Sequence, residues 1–242
     1  MLDIIAFDAD DTLWHNEPLY IDIQTRFKHL LSSYHSPEWV DRKLFDTEMR
    51  NLKHFGYGIK GFTLSMIETA IELTEGRISG SEIQKIIDYA REMLETRLEL
   101  IEHVEQTLAE LSQSYPLMIV TKGDLLDQEA KIANSGLAQY ITSIEVVSNK
   151  TQESYASILS RYKIAPQRFL MVGNSLKSDI QPVLELGGVA VHIPYHLTWV
   201  HENNIERELP QDGYYQIEHI GLLPGLVKEI SQKPDPKALR KL

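Results

Sequence analysis

The second half of the chain alternates short apolar runs with helical segments, and this alternation constrains the fold more than any other feature. The apolar runs are Leu117–Val120, Ile144–Val147, Phe169–Val172 and Val189–Ile193. A strand, a helix and a further strand form the repeating unit of a parallel sheet, because parallel neighbours need a long crossover. The pattern predicts an α/β protein with a doubly wound parallel sheet as its core.

An earlier apolar run, Ile4–Phe7, leads directly into three carboxylates, those of Asp8, Asp10 and Asp11. An unbroken apolar run is typical of a central strand that is buried on both faces. Carboxylates crowded at the end of such a strand repel one another unless a cation lies among them, and Mg²⁺ prefers oxygen ligands. A solvated acidic turn would also explain these residues, but the carboxyl end of a parallel strand is where ligands bind.

About 100 residues separate the first two predicted strands, far more than the dozen or so of an ordinary crossover. Five segments in this interval carry apolar residues at helical spacing. They are Leu19–Leu31, Glu38–Phe55, Thr63–Thr74, Ser81–Leu98 and Val104–Leu111. We therefore predict an inserted all-helical cap at residues 15–103 and a core made of residues 1–14 and 104–242. Within residues 217–230 we predict a short strand or turn and a closing helix.

Composition limits the classes of partner. The formal net charge of −11 argues against nucleic acid or an anionic membrane surface. The absence of cysteine excludes disulfides, zinc–thiolate sites and thiol nucleophiles. No apolar run approaches the roughly 20 residues of a membrane span, and the first residues lack a signal-peptide pattern. We expect a cytoplasmic protein with a small-molecule partner, and the oligomeric state stays open.

Polar groups follow four of the predicted strands at the point where each strand ends. They are Asp8 and Asp10, Thr121 and Lys122, Lys150, and Asn174 with Asp179 beyond. The carboxyl ends of parallel strands lie at one edge of a sheet, so these groups are expected to converge. A carboxylate nucleophile, a hydroxyl, an ammonium and a set of oxygen ligands suit phosphoryl transfer.

In these elements the chain resembles the haloacid dehalogenase superfamily of phosphohydrolases. The matching elements, in family order, are Asp8-Ala9-Asp10-Asp11-Thr12, Thr121, Lys150 and Gly173-Asn174-Ser175-Leu176-Lys177-Ser178-Asp179. The first element is very specific, and the other three gain weight from their positions at successive strand ends. The helical insertion resembles the family's C1-type cap. The resemblance implies a Rossmann-like core and an Mg²⁺-dependent phosphomonoester hydrolase (a phosphatase) that acts on a small phosphorylated metabolite.

The resemblance also implies a role for each matched residue. Asp8 would attack phosphorus and form an aspartyl-phosphate intermediate. Asp10 would protonate the leaving oxygen and then activate water. Thr121 would hold the phosphoryl oxygens, and Lys150 would neutralise charge on the nucleophile and on the transferring group.

The implied Mg²⁺ ligands are Asp8, the backbone carbonyl of Asp10, Asn174 and Asp179. Asn174 is a departure, because the family pattern usually has Asp at this position. An amide oxygen can still ligate Mg²⁺, but the site loses a negative charge. Either the affinity for the metal is lower, or Asp179 enters the coordination shell directly.

The segment Gly56-Tyr57-Gly58-Ile59-Lys60-Gly61 matches G-x-G-x-x-G. A dinucleotide fingerprint must follow a strand and open a helix, whereas this segment follows a helical pattern. The favoured interpretation is a loop between cap helices, and in C1-type caps such a loop faces the active site. Tyr57 and Lys60 of this loop, with Lys122 of the core, are the predicted substrate contacts.

Two other classes of function stay open. In a 2-haloacid dehalogenase an aspartate attacks carbon and no metal is needed. Asp10 argues against this reading, because halide leaves without a proton and that branch lacks an acid there. A phospho-accepting regulatory protein also uses Asp, Thr, Lys and Mg²⁺. The large cap argues against it, and so does Asp10, because a regulator must preserve its aspartyl-phosphate. A mutase or phosphonatase with the same core also stays open.

Overall fold

The computed structural model describes residues 2–197, 199 and 209–232. Within them, six strands form one parallel sheet in the order β3-β2-β1-β4-β5-β6. The strands are β1 (Ile4–Phe7), β2 (Leu117–Lys122), β3 (Ser143–Val147), β4 (Phe169–Gly173), β5 (Val189–His192) and β6 (Tyr214–Gln216). The first strand of the sequence is therefore central, and strands of the later α/β repeats flank it on both sides.

Helices cover both faces of this sheet. The core helices are α5 (Val104–Leu111), α6 (Leu125–Asn134), α7 (Gln152–Tyr162), α8 (Gln181–Glu185) and α9 (Leu223–Gln232). Alternate residues of β1 enter two different apolar clusters, because side chains of a strand point to opposite faces. Ile5 and Phe7 pack in the cluster that includes α5, α6 and α9, and Ile4 and Ala6 pack with α7 and α8. The predicted doubly wound α/β fold is confirmed.

Four further helices form the inserted cap, with an apolar cluster of its own. They are α1 (Glu17–Leu30), α2 (Pro37–Phe55), α3 (Ile59–Leu73) and α4 (Gly80–Glu95). Each contributes at least one buried apolar side chain to the cluster, among them Phe27, Leu44, Met66 and Ile86. Local signals start two of these helices: Ser36 caps α2, and Ser79 caps α4 in a capping box with Glu82. The predicted limits of the cap, residues 15 and 103, stay a prediction.

The two chain crossings between core and cap are hydrogen-bonded to each other. The N–H of His15 donates to the carbonyl of Glu99 at 3.0 Å, and the N–H of Ile101 donates to the carbonyl of Leu13 at 3.0 Å. Trp14 lies between these bonds and is fully buried in the core cluster. The crossing therefore fixes the cap directly beside the carboxyl end of β1.

The described structure differs from the sequence pattern at the edge of the sheet. The predicted turn and closing helix are present, as a bend at residues 218–219 and as α9, but the three-residue strand β6 before them was not predicted. Its residues are partly exposed, as expected of an edge strand, and so short a segment carries no periodic signal. None of the helices described here is long and apolar enough to cross a membrane.

Candidate active site

A cleft lies between the carboxyl edge of the sheet and the cap. Its core wall contains the predicted residues Asp8, Asp10, Thr121, Lys122, Lys150, Asn174 and Asp179. Its cap wall contains Glu17, Tyr20, Gln24, Glu48, Asn51, Leu52, Gly56, Tyr57, Gly58, Gly61, Phe62 and Ser65. The structure thus brings the predicted strand-end groups together, as parallel topology requires. Of the predicted substrate contacts, Lys122 and Tyr57 line the cleft and Lys60 does not.

Asp8 directly follows β1 and is almost fully buried. Its N–H continues the sheet by donating to the carbonyl of Val172 at 2.8 Å. Its Oδ1 accepts a hydrogen bond from Lys150 Nζ, and its Oδ2 accepts one from the Thr12 hydroxyl at 3.1 Å. Burial raises the pKa of Asp8 to about 7, although the Lys150 ammonium opposes this shift. Both oxygens are therefore oriented by partners on the core.

Lys150 precedes α7 and its ammonium is buried between two carboxylates. Nζ donates to Oδ1 of Asp8 and, at 2.6 Å, to Oδ1 of Asp179. Burial alone would lower the pKa of Lys150, but Asp179 and Asp8 raise it above its ordinary value. The side chain is therefore a fixed positive charge beside Asp8.

Asp179 lies in a π-helical turn, Leu176–Ile180, and is 1% exposed. Its Oδ1 binds Lys150, and its Oδ2 accepts the N–H of Ser175 at 3.0 Å. Gly173 makes this position possible, because a Cβ atom there would lie 2.2 Å from Oδ2 of Asp179. The partners of both carboxylate oxygens are therefore protein groups, so Asp179 holds Lys150 in place.

Asn174 follows β4 and faces Asp8 across the hydroxyl of Thr12. Its Oδ1 lies 3.3 Å from Thr12 Oγ1, the same atom that donates to Asp8 Oδ2. Carboxylate and amide oxygens that converge on one cleft fit a hard cation such as Mg²⁺. The described residues contain no group of three or more His, Asp or Glu side chains that could hold a metal ion. A metal here would therefore depend on Asp8, on amide and backbone oxygens, and on water.

Asp10 faces the cleft from the turn after β1, and three donors hold its carboxylate. Trp14 Nε1 donates to Oδ1 at 2.7 Å, and Lys131 Nζ donates to the same oxygen at 3.1 Å. Gln128 Nε2 donates to Oδ2 at 2.8 Å. Oδ2 thus accepts a single hydrogen bond from these partners and keeps a lone pair for a proton.

Gln128 and Lys131, which lie on α6, are partners of Asp10 that the sequence pattern did not indicate. Lys131 is buried, and its ammonium also binds Asn16 Oδ1 at 3.0 Å and Asp127 Oδ2 at 3.2 Å. Burial acts to lower the pKa of Lys131, but Asp10 and Asp127 raise it above its usual value. A possible signal in the sequence is that Asp127, Gln128 and Lys131 share one face of the helix.

Asp11 is the third carboxylate of the acidic turn, and its role is structural. Its backbone is in the left-handed region with φ of 61°. Its Oδ1 accepts the N–H groups of Asn16 at 2.9 Å and Glu17 at 3.0 Å. Burial raises the pKa of Asp11 to about 6, and these backbone hydrogen bonds act against that rise. Asp11 therefore ties the acidic turn to the start of α1.

Thr121 and Lys122 end β2 at the floor of the cleft. Thr121 is 1% exposed, and its hydroxyl lies 3.4 Å from Oε1 of Gln128, so one glutamine side chain contacts both Thr121 and Asp10. Lys122 Nζ donates to the hydroxyl of Ser178 at 2.9 Å. The same ammonium lies 4.3 Å from the ring centre of Tyr57 in the cap. Lys122 therefore joins the floor of the cleft to the cap loop.

The glycine-containing segment joins α2 to α3 and contacts the core. Gly58 has φ of 106°, and a Cβ atom there would lie 3.1 Å from the backbone nitrogen of Asp124. Lys60 was predicted to lie in the loop, but it belongs to the first turn of α3, where its Nζ pairs with Asp124 Oδ1 at 2.9 Å on the exposed side. The ring of Tyr57 meets that of Trp199 edge-on, with centroids 6.4 Å apart. This loop therefore holds the cap against the core, with Tyr57 in the cleft and Lys60 outside it.

Most of the chain matches one family of known proteins. The family of haloacid dehalogenase-like hydrolases matches residues 2–187. The chain belongs to this family of hydrolases. No functionally curated protein matches the sequence.

Solved structures of the family share the fold. A haloacid dehalogenase-like family hydrolase from Xanthomonas campestris is 38% identical with a TM-score of 0.85, over 100% of this chain and 95% of that one. A predicted phosphoglycolate phosphatase from Haemophilus somnus is 17% identical with a TM-score of 0.62, over 93% and 98% of the two chains. The L-2-haloacid dehalogenase from Xanthobacter autotrophicus is also 17% identical with a TM-score of 0.62, over 94% and 99%. The fold is thus shared with a predicted phosphatase and with a dehalogenase, so the fold alone does not identify the reaction.

Proposed function

We propose that this hydrolase cleaves the phosphate monoester of a small metabolite, with Asp8 as nucleophile and Mg²⁺ as cofactor. The observation that carries the proposal is the second carboxylate, Asp10, which Trp14, Gln128 and Lys131 hold at the same strand end. Departure of an alkoxide needs a proton donor, whereas departure of a halide does not. A positioned carboxylate beside the nucleophile is therefore more useful to a phosphatase than to a dehalogenase.

The first step forms a covalent intermediate. An oxygen of Asp8 attacks phosphorus while the bond from phosphorus to the leaving oxygen breaks, and Asp10 donates its proton to that oxygen. Lys150 remains fixed beside Asp8 and offsets negative charge as the phosphoryl group arrives. The products of this step are the free alcohol and an aspartyl-phosphate on Asp8.

The second step releases phosphate. Asp10, now ionised, accepts a proton from a water molecule that attacks phosphorus. The bond between phosphorus and the Asp8 oxygen breaks, which regenerates the Asp8 carboxylate and the protonated Asp10. The sum of both steps is one ester and one water converted to one alcohol and one phosphate.

The oxygen atoms offered to Mg²⁺ would be the carboxylate of Asp8, the backbone carbonyl of Asp10 and the amide of Asn174. Asp179 is less suited to bind it directly, because its two oxygens bind Lys150 and the N–H of Ser175. When bound, the ion neutralises charge on the phosphoryl oxygens. The negative net charge argues against a nucleic-acid or anionic-membrane partner, so the proposal is a cytoplasmic enzyme with a small substrate.

A 2-haloacid dehalogenase is the second candidate function. The absence of a three-carboxylate metal cluster among the described residues favours it, because that reaction needs no metal. A phospho-accepting regulator is a third class, and catalytic turnover would exclude it. The test is to supply wild type and Asp8→Asn with p-nitrophenyl phosphate and, separately, 2-chloropropionate, with and without EDTA.

We expect Mg²⁺-dependent phosphate release by wild type, no turnover by Asp8→Asn and no chloride release. Chloride release that survives EDTA would establish the dehalogenase instead. Stable labelling without turnover would establish the regulator.

A further inference from the structure

The cap wall of the cleft carries a polar face that the phosphoryl chemistry does not use. Tyr20 and Gln24 lie one turn apart on α1, and Glu48 and Asn51 lie one turn apart on α2. Residues at these spacings point to the same side of a helix. The face lies across the cleft from the groups that would hold the phosphoryl unit, where the leaving group of an ester would be bound.

Glu48 is the charged member of this face. Within the described part of the chain, no hydrogen bond or ion pair engages its carboxylate. Burial raises the pKa of Glu48 to about 8, and the nearby charge of Asp41 adds to the rise. Glu48 is half-buried and lines the cleft, so a cation that enters the cleft can reach a carboxylate that lacks a partner and is poorly solvated.

Asn51 offers an acceptor rather than a donor. Its amide NH₂ donates to the hydroxyl of Ser65 at 3.2 Å and to the carboxylate of Glu68 at 2.7 Å. A carboxylate must receive a donor, so this contact fixes which end of the amide is the NH₂ group. Both amide hydrogens are used within the cap, and the carbonyl oxygen is what Asn51 can present to a ligand.

The charge of the cap wall also favours a cationic ligand. Its charged residues that line the cleft, within the described chain, are both acidic, namely Glu17 and Glu48. Lys60, at the start of α3, lies outside the cleft and pairs with Asp124. An anionic leaving group would meet repulsion at this wall, whereas a cationic group that donates hydrogen bonds would be attracted.

We propose that the face formed by Tyr20, Gln24, Glu48 and Asn51 binds a leaving group that carries a protonated amine, with Glu48 as its ion-pair partner. This inference rests on the proposed phosphatase function and names the class of its substrate. The ammonium group donates to Glu48 and to the carbonyl oxygen of Asn51. A hydroxyl group could donate to the same atoms, but it offers no positive charge with which Glu48 could form an ion pair.

The test compares two series of esters that differ only in their terminal group. The probes are ω-aminoalkyl phosphates of about two to five carbons and the hydroxyalkyl phosphates of the same lengths, with p-nitrophenyl phosphate as a generic ester. At the best chain length we expect wild type to favour the amine in kcat/KM by about tenfold or more. Glu48→Gln should lower kcat/KM for that amine by about tenfold and for its hydroxyl partner by less than about threefold.

Asp46→Asn is the matched control, because Asp46 lies on the same helix, is exposed and does not line the cleft. It should leave the preference for the amine unchanged. Equal losses for both esters in Glu48→Gln, or an equal loss in Asp46→Asn, would overturn the assignment. Hydrolysis of p-nitrophenyl phosphate without any preference for amines would overturn this inference alone. Failure to hydrolyse any of these esters would overturn the proposed phosphatase function with it.

Discussion

Lys150 and Asp179 form a fully buried ion pair, with 2.6 Å between Nζ and Oδ1, and the same ammonium binds the nucleophile candidate Asp8. The remaining oxygen of Asp179 is held by the N–H of Ser175. The ammonium of Lys150 thereby joins Asp8, at the end of β1, to Asp179, which lies beyond the end of β4. The pair lies at the core wall of the cleft and holds Lys150 beside Asp8.

This arrangement predicts a large effect of Asp179 on stability. Asp179→Ala should lower the free energy of unfolding by about 3–5 kcal/mol, because it leaves a buried ammonium with half of its partners. Arg91→Gln, which breaks the exposed pair with Asp88, should change it by less than about 1 kcal/mol. Urea unfolding of both variants measures the difference. Equal changes would show that Lys150 does not depend on Asp179.

Gln128 is predicted to act through Asp10. Gln128→Ala removes the hydrogen bond to Asp10 Oδ2 and should lower kcat by about tenfold for alkyl phosphates, while Asp10→Asn should lower it by about 10²–10⁴. Both losses should be smaller for p-nitrophenyl phosphate, whose leaving group needs little protonation. Gln139→Ala, at an exposed glutamine that does not line the cleft, is the control. A loss of equal size for all leaving groups would remove Asp10 and Gln128 from the proton-transfer step.

The metal requirement gives a further prediction. EDTA should stop turnover, and Mg²⁺ should restore it. Asn174→Asp should lower the Mg²⁺ concentration for half-maximal rate, because a carboxylate oxygen binds a hard cation more strongly than an amide oxygen does. Titration of both proteins with Mg²⁺ checks this. An unchanged or higher half-maximal concentration would separate Asn174 from the metal.

Glu48 predicts a dependence of stability on pH. Its pKa of about 8 in the folded protein lies above the ordinary value of 4.5, so the folded state binds the proton more tightly. Stability from this group is therefore complete below pH 4.5 and falls as pH rises towards 8. Glu48→Gln cannot lose stability in this way. The difference in the free energy of unfolding between Glu48→Gln and wild type should therefore increase by about 1 kcal/mol or more as pH rises from 4.5 to about 8.

Asp46→Asn again serves as the control, with a difference from wild type that stays nearly constant. The charge that acts on Glu48 in the fold is that of Asp41 on its own helix, whereas Tyr20 of α1 stays neutral across this interval because burial raises its pKa further. Unfolding in urea at several pH values measures the difference. A difference between Glu48→Gln and wild type that does not change with pH would contradict the burial of Glu48.

Much of the fold could be predicted because its signals are local. Apolar runs such as Ile4–Phe7 and Phe169–Val172 predicted buried parallel strands, and topology then placed Asp8, Lys150 and Asn174 at one edge. The length of helical sequence before Leu117 predicted the inserted cap.

The partners of each side chain could not be predicted in this way. That Asp11 caps α1 while Asp10 binds Gln128 depends on the turn geometry and on where α6 packs. Lys60 and Tyr57 are three residues apart, yet one pairs with Asp124 outside the cleft and the other lines it. These partners depend on tertiary contacts, which the spacing of apolar residues along the sequence does not predict.

If Asp8 is the nucleophile, it must carry a phosphoryl group during turnover. The most direct test is to measure the mass of the peptide that contains Asp8 while the reaction proceeds. Asp10→Asn should slow the second step, so a quenched reaction with p-nitrophenyl phosphate should accumulate the intermediate. We predict that mass spectrometry will find one added phosphoryl group on the peptide that contains Asp8, and none after Asp8→Asn is introduced as well. A phosphoryl group on another residue, or turnover that persists without Asp8, would contradict the account.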